Sequence, residues 1–165
     1  MPRHELTEGT AASRSSRRIR GRVKTVIFAC VHNAGRSQMA AAYFNKFVDP
    51  AKARAVSAGT RPGDRVHPEV VQVMDEDGID LRSARPQELT TELAAGAHLL
   101  ITMGCGDECP YVPGLTRDDW PLDDPKGQPI ERVRAIRNDV RARVRALVAQ
   151  MTRAGRSDSG STPDG

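Results

Sequence analysis

The sequence predicts an α/β domain with a mostly parallel central sheet. Short runs of β-branched and aromatic residues alternate with amphipathic stretches of helical spacing, and Gly- or Pro-bearing turns separate them. A length of 165 residues suits one domain with a substantial core and is short for two. Hydrophobic residues make up 38% and charged residues 28%, the balance of an ordinary globular protein. No apolar run approaches the roughly 20 residues of a bilayer span. The charged, Ser-rich N-terminus lacks the apolar segment of a secretory signal. A cytoplasmic protein without membrane contact is expected.

Residues 1–22 read as a disordered basic tail and residues 152–165 as a second disordered tail, leaving 23–151 as the folded domain. VKTVIFACV, residues 23–31, is β-branched and apolar throughout, as a buried strand should be. SQMAAAYFNKFV, residues 37–48, carries helix formers and an apolar face. ARAVSAG, residues 53–59, is a second strand closed by a glycine and a turn-rich loop. HPEVVQVMDEDG, residues 67–78, is a helix with Pro68 in its first turn and Gly78 past its end. PQELTTELAAG, residues 86–96, fits a further helix. HLLITMG, residues 98–104, is the third strand, and a long loop holding Cys105 and Cys109 follows it. DDWPL, residues 118–122, is a short fourth strand weakened by Pro121. A long amphipathic helix begins at Ile130, with Val133, Ile136, Val140, Val144, Leu147, Val148 and Met151 on its apolar face. Arg132, Arg134, Arg137, Arg141, Arg143 and Arg145 on the other face are expected to form a solvated surface.

The formal net charge of +4 belongs to the N-terminal tail, where six arginines stand against Glu5 and Glu8. The domain itself is neutral by difference. No aromatic residue is interleaved with those arginines, so no nucleic-acid partner is expected.

Three cysteines cannot close a disulfide framework within one chain, and cytosolic thiols stay reduced unless they are catalytic or redox-active. In open α/β sheets, ligands bind outside the carboxyl ends of the strands. Cys30 falls there after the first strand, and Cys105 and Cys109 after the third. In FACVHNAGRSQMA, residues 28–40, the strand runs through a tight loop into a helix. The amides of Val31, His32, Asn33, Ala34, Gly35 and Arg36, with the helix dipole from Ser37, make an anion cradle. Ala34 and Gly35 allow close backbone approach, Asn33 tolerates left-handed geometry, and the Arg36 fork suits a tetrahedral oxyanion. The lysine of a nucleotide-binding loop is missing. Cys30 faces the same positive field, which favours the attacking thiolate, and Ser37 is placed to donate its hydroxyl to the sulfur. The loop therefore sets a nucleophile beside an oxyanion site. The His32 ring is expected to point outward while its amide binds, His67 to be structural at a helix start, and Trp120 to pack near the Asp-Pro turn.

CVHNAGRS resembles the C-x5-R-S signature of the low-molecular-weight protein tyrosine phosphatases and of the arsenate reductases built on the same fold. VSAGT, RPQELT, LLITM and DDP follow in the family's order, and the resemblance runs from about residue 23 to residue 151. It implies a three-layer sandwich with a central four-stranded parallel sheet, Cys30 as nucleophile, Arg36 as oxyanion binder and Asp124 as general acid. The phosphatases carry aromatic residues after the Asp-Pro, whereas DDPKGQ here has none and is similar to the reductases.

On spacing alone the C-x3-C pair of Cys105 and Cys109 fits a thiol relay, two ligands of a zinc site, or inert loop thiols. The resemblance implies the relay of the thioredoxin-coupled arsenate reductases. Cys105 attacks the Cys30–arsenic adduct, Cys109 then attacks Cys105, and an external redoxin reduces the Cys105–Cys109 disulfide. The best-known branch spaces these cysteines farther apart and has a glutamate of a potassium site where this chain has Ala41. Asn33 and Ser57 match that site, but neither bound potassium nor another metal is predicted. CVHNAGRSQMA with GCGDECPYVPG also looks like actinobacterial versions, some of which use mycothiol, with mycoredoxin, so that Cys30 alone is essential. The expected protein is a monomer acting on arsenate, with phosphate and sulfate as competing oxyanions, no bound cofactor, and thioredoxin or a small thiol as reductant.

Overall fold

Strand β1, Lys24–Cys30, is the centre of the molecule, and its residues from Val26 onward are buried on both faces. The structure, a computed structural model, describes residues 23–104 and 112–159, with side chains through Ala154. The remaining elements are helix α1, Arg36–Phe47; β2, Ala53–Gly59; α2, Pro68–Glu76; α3, Thr91–Ala95; β3, Leu99–Thr102; β4, Thr116–Asp119; and α4, Ile130–Ser159. The four strands form one parallel sheet in the order β2-β1-β3-β4. The chain leaves β1 toward one edge and returns to fill the other. The carboxyl end of β1 is thus the point where strand order reverses, the place where such sheets bind ligands.

Alternation along β1 builds the layers, because successive side chains point to opposite faces. Val26, Phe28 and Cys30 join a cluster with Met39, Phe44, Val70, Val133 and Val140 of the three longer helices. Ile27 and Ala29 face the other way, toward Ala58, Leu89, Ala94 and Leu100. Phe28 packs against Phe44 and Trp120 with ring centroids 6.0 and 5.6 Å apart, so Trp120 is a core residue at the head of the 121–125 turn. The outer edge of β2 is closed by Asn45, whose side chain both donates to the Ala55 carbonyl and accepts from its amide.

Three expectations need correcting. The helix expected at 86–96 is only α3. Before it, residues 87–89 lie along β2, with the Gly59 amide donating to the Gln87 carbonyl (2.9 Å) and the Leu89 amide to the Gly59 carbonyl (2.8 Å). Thr90 then caps α3 by accepting from the Leu93 amide, so helix can begin only after it. The fourth strand is displaced toward the N-terminus, ending before Trp120, whose amide donates to the Thr102 carbonyl. Pro121 has no amide to continue the ladder. Finally, α4 does not stop at 151. It runs to Ser159 through part of the expected tail, and the Thr152 hydroxyl donates to the Val148 carbonyl within it.

The arginines of α4 are also more than a solvated face. Arg137 is only 8% exposed and donates to the Val73 carbonyl and to Glu76, each at 2.8 Å. Arg134 joins it on Glu76 at 2.9 Å, and Arg141 pairs with Asp77. Arg132 reaches Asp123, Arg143 pairs with Asp139, and Arg145 lies 4.7 Å over the Phe47 ring. Glu76 and Asp77 end α2, so these pairs fasten α4 to it. The Tyr43 hydroxyl also donates to Asp77. Burial and the Asp77 charge push the Tyr43 phenol well above its ordinary range.

Candidate active site

The loop after β1 is held from outside by the segment that follows β2. Amides of Thr60, Arg61, Gly63 and His67 donate to the carbonyls of Cys30, Val31, His32 and Ala34, at 3.2, 2.8, 2.9 and 2.9 Å. In a planar trans peptide the N–H opposes the C=O. The amides of residues 31, 32, 33 and 35 are therefore turned away from that segment. Gly59 permits the approach, since a β-carbon there would lie 2.6 Å from the Val31 carbonyl oxygen.

Asn33 has a φ of 52° and is fully buried, as its left-handed tolerance predicts. Its Oδ1 accepts from the Gln87 amide (2.9 Å) and from Gln38 Nε2 (3.2 Å), and its Nδ2 donates to Ser37 Oγ at 2.7 Å. Ser37 Oγ in turn lies 2.9 Å from Cys30 Sγ. Ser37 Oγ thus accepts from Asn33 Nδ2 and shares a hydrogen bond with Cys30 Sγ; a Cys30 thiolate has no proton to give, so in that state the serine hydroxyl is the donor.

Helix α1 begins at the same place without any side-chain cap on Gly35 and without an acid in its first turn. Nothing on its own first turn competes with a bound anion for those amides. Arg36 is 7% exposed. Its Nη1 donates to the Leu122 carbonyl at 3.1 Å, and its Nη2 stands 3.7 Å from Asp124 Oδ2. Asp124 remains 44% exposed, and its Oδ1 accepts from the Lys126 amide, so the carboxyl is held by its own turn yet open to solvent. Pro125 is buried against the loop: a β-carbon on Gly35 would come within 2.8 Å of its Cγ.

Cys30, Asn33, Arg36, Ser37 and Asp124 are therefore together, as the sequence predicts. Cys105 and Cys109 lie outside the described residues. Gly104, directly before Cys105, is described. It has a φ of 95°, and a β-carbon on it would fall 2.3 Å from Arg36 Nη1. Sequence reasoning ends the second strand at Gly59 and places Gln87 in RPQELT, but gives neither these two nor Gly104 and Gln38 a place in the site.

A buried cysteine and arginine around an uncapped helix start, facing an Asp-Pro turn, define a phosphatase-type oxyanion site on a parallel α/β sheet. Residues 25–157 match the low molecular weight phosphotyrosine protein phosphatase family, and the chain belongs to it. Its relatives include proteins described as arsenate reductases. A putative arsenate reductase of Halobacterium salinarum is 40% identical over 121 residues, covering 71% of this chain and 85% of that protein. The glutaredoxin arsenate reductase of a Synechocystis strain is 35% identical over 133 residues, covering 79% of this chain and all of that one. Among solved structures, the thioredoxin-dependent arsenate reductase of Corynebacterium glutamicum superposes with a TM-score of 0.67 at 34% identity over 80% of this chain. The present chain spans 63% of that neighbour's length.

Proposed function

We propose that the protein is an arsenate reductase that uses Cys30 as nucleophile and a Cys30/Cys105/Cys109 relay drained by thioredoxin. What supports the reading is the Asn33–Ser37–Cys30 hydrogen-bond chain at an uncapped helix start, with Arg36 and Asp124 side by side, in a chain whose relatives are described as arsenate reductases. Cys30 thiolate attacks arsenic, and one arsenate oxygen leaves as water with a proton from Asp124. The loop amides and Arg36 hold the remaining oxygens. Cys105 thiolate then attacks the Cys30 sulfur. A sulfur–sulfur bond forms, the sulfur–arsenic bond breaks, and its electron pair reduces arsenic(V) to arsenic(III), released as arsenite. Cys109 displaces Cys30 from Cys105, and the thioredoxin dithiol reduces the Cys105–Cys109 disulfide. Gly104, the described residue before Cys105, lies beside Arg36, which supports a part for the cysteines that follow it in the sequence.

Cys→Ser substitutions at 30, 105 and 109 test the scheme by arsenate-dependent NADPH oxidation with thioredoxin and its reductase. Loss of at least about a hundredfold at all three positions is expected. Loss at Cys30 alone, with turnover restored by mycothiol and mycoredoxin, assigns the small-thiol route instead. Absence of arsenite with every thiol donor, together with aryl phosphate hydrolysis, makes the protein a phosphatase.

A further inference from the structure

We propose that His67 is a positioning residue for the general acid, its ring bracing the Asp124–Pro125 turn against the anion loop. The inference rests on the function proposed above in one respect, the role of Asp124. Position 67 is the N-cap of α2, where Ser, Thr, Asp or Asn would satisfy the helix amides. His67 makes no side-chain cap hydrogen bond. Helix capping therefore does not explain a histidine here, and its ring is turned to other contacts.

The backbone ties it to the cradle, since the His67 amide donates to the Ala34 carbonyl at 2.9 Å. The side chain then meets Gly35 from the same side as Pro125. A β-carbon on Gly35 would lie 2.8 Å from Pro125 Cγ and 3.6 Å from His67 Cδ2. Three elements converge at that one α-carbon: the anion loop, the start of α2 and the acid-bearing turn. Pro125 is buried there while Asp124 beside it is not, so the turn is anchored through the proline and the carboxyl is presented. Removing the imidazole takes one of the two side chains away from the Gly35 α-carbon.

The charged surroundings agree with a packing role. Burial lowers the His67 pKa below its ordinary value; Glu69 and Asp124 pull it upward, and Lys126 and His32 push it down. The ring is neutral near pH 7 and can rest on apolar atoms.

The test is a double-mutant cycle of His67→Asn and Asp124→Asn, scored on kcat and KM for arsenate between pH 5 and 8 with reductant in excess. Asparagine restores a favoured N-cap, so His67→Asn is expected to keep the thermal midpoint. In the wild-type background it should lower kcat about tenfold with KM within about twofold, since the lost interaction matters in the transition state. In the Asp124→Asn background it should change kcat less than about twofold, because the two act through one step. Equal losses in both backgrounds, or an unchanged kcat in the folded His67→Asn protein, overturn the proposal. If the wild type does not reduce arsenate, the reductase reading fails by itself. The same cycle is then scored on phenyl phosphate hydrolysis, which needs the same acid. Inactivity of the wild type on both substrates overturns the proposal too.

Discussion

Gly104 holds a φ of 95° with Arg36 Nη1 so near that a β-carbon would sit 2.3 Å from it. The obstacle is the tip of a flexible side chain, so Gly104→Ala should fold but displace the guanidinium from its place between Leu122 and Asp124. We expect kcat/KM for arsenate to fall about a hundredfold while the thermal midpoint drops by a few degrees. Steady-state kinetics beside a melting curve check it, and unchanged kcat/KM would show that Arg36 does not need that position. At this scale the site was largely legible in the sequence. Cys30, Asn33, Arg36 and Ser37 lie within eight consecutive residues that end β1, form the loop and open α1, so their spacing constrains their geometry. Gly104 was not legible, because its closeness to Arg36 comes from atoms distant along the chain.

Helix α4 was predicted as an amphipathic element with a merely solvated arginine face, and its contacts with α2 revise that. Hydrogen bonds from Arg134 and Arg137 hold the Glu76 carboxyl below the usual carboxylate range. For Asp77 burial acts upward, but the hydrogen bonds from Tyr43 and Arg141 outweigh it and the pKa is lowered. A carboxyl with a lower pKa in the folded state binds fewer protons than the unfolded chain, so stability rises with pH between the two values. The stabilisation is present above the unfolded values of about 4 and is lost as pH falls through the lower folded values. Thermal midpoints of the wild type should therefore fall on acidification below about pH 4.5, and Glu76→Gln should flatten part of that fall. An identical slope in the variant would remove Glu76 from the account. The sequence showed charges and their helical period, but not which acids would meet the arginines. The same gap explains the shortened helix at 86–96: local propensity favoured helix, while the edge of β2 takes residues 87–89 as its partner.

For the whole molecule, strand–helix alternation predicted the parallel sheet that is found, and the placement of β1 between β2 and β3 puts the reversal of strand order at the carboxyl end of β1. The basic segment 1–22 lies before the domain, and the family match begins only at residue 25. Removing residues 1–22 should leave the melting temperature within about 2 °C and kcat/KM for arsenate within about twofold of the full chain, whereas a larger loss of kcat/KM would tie the segment to catalysis. The four amides from residues 60–67 that grip the loop carbonyls give the cradle its shape before any substrate arrives. Such a receptor needs little reorganisation to accept a tetrahedral anion, and phosphate has the same shape and charge as arsenate. In a cell rich in phosphate, occupancy will follow abundance. Under the proposed mechanism discrimination comes from the fate of the bound ion: arsenic accepts the electron pair of the broken sulfur bond and phosphorus does not, which makes selectivity kinetic and places it after capture.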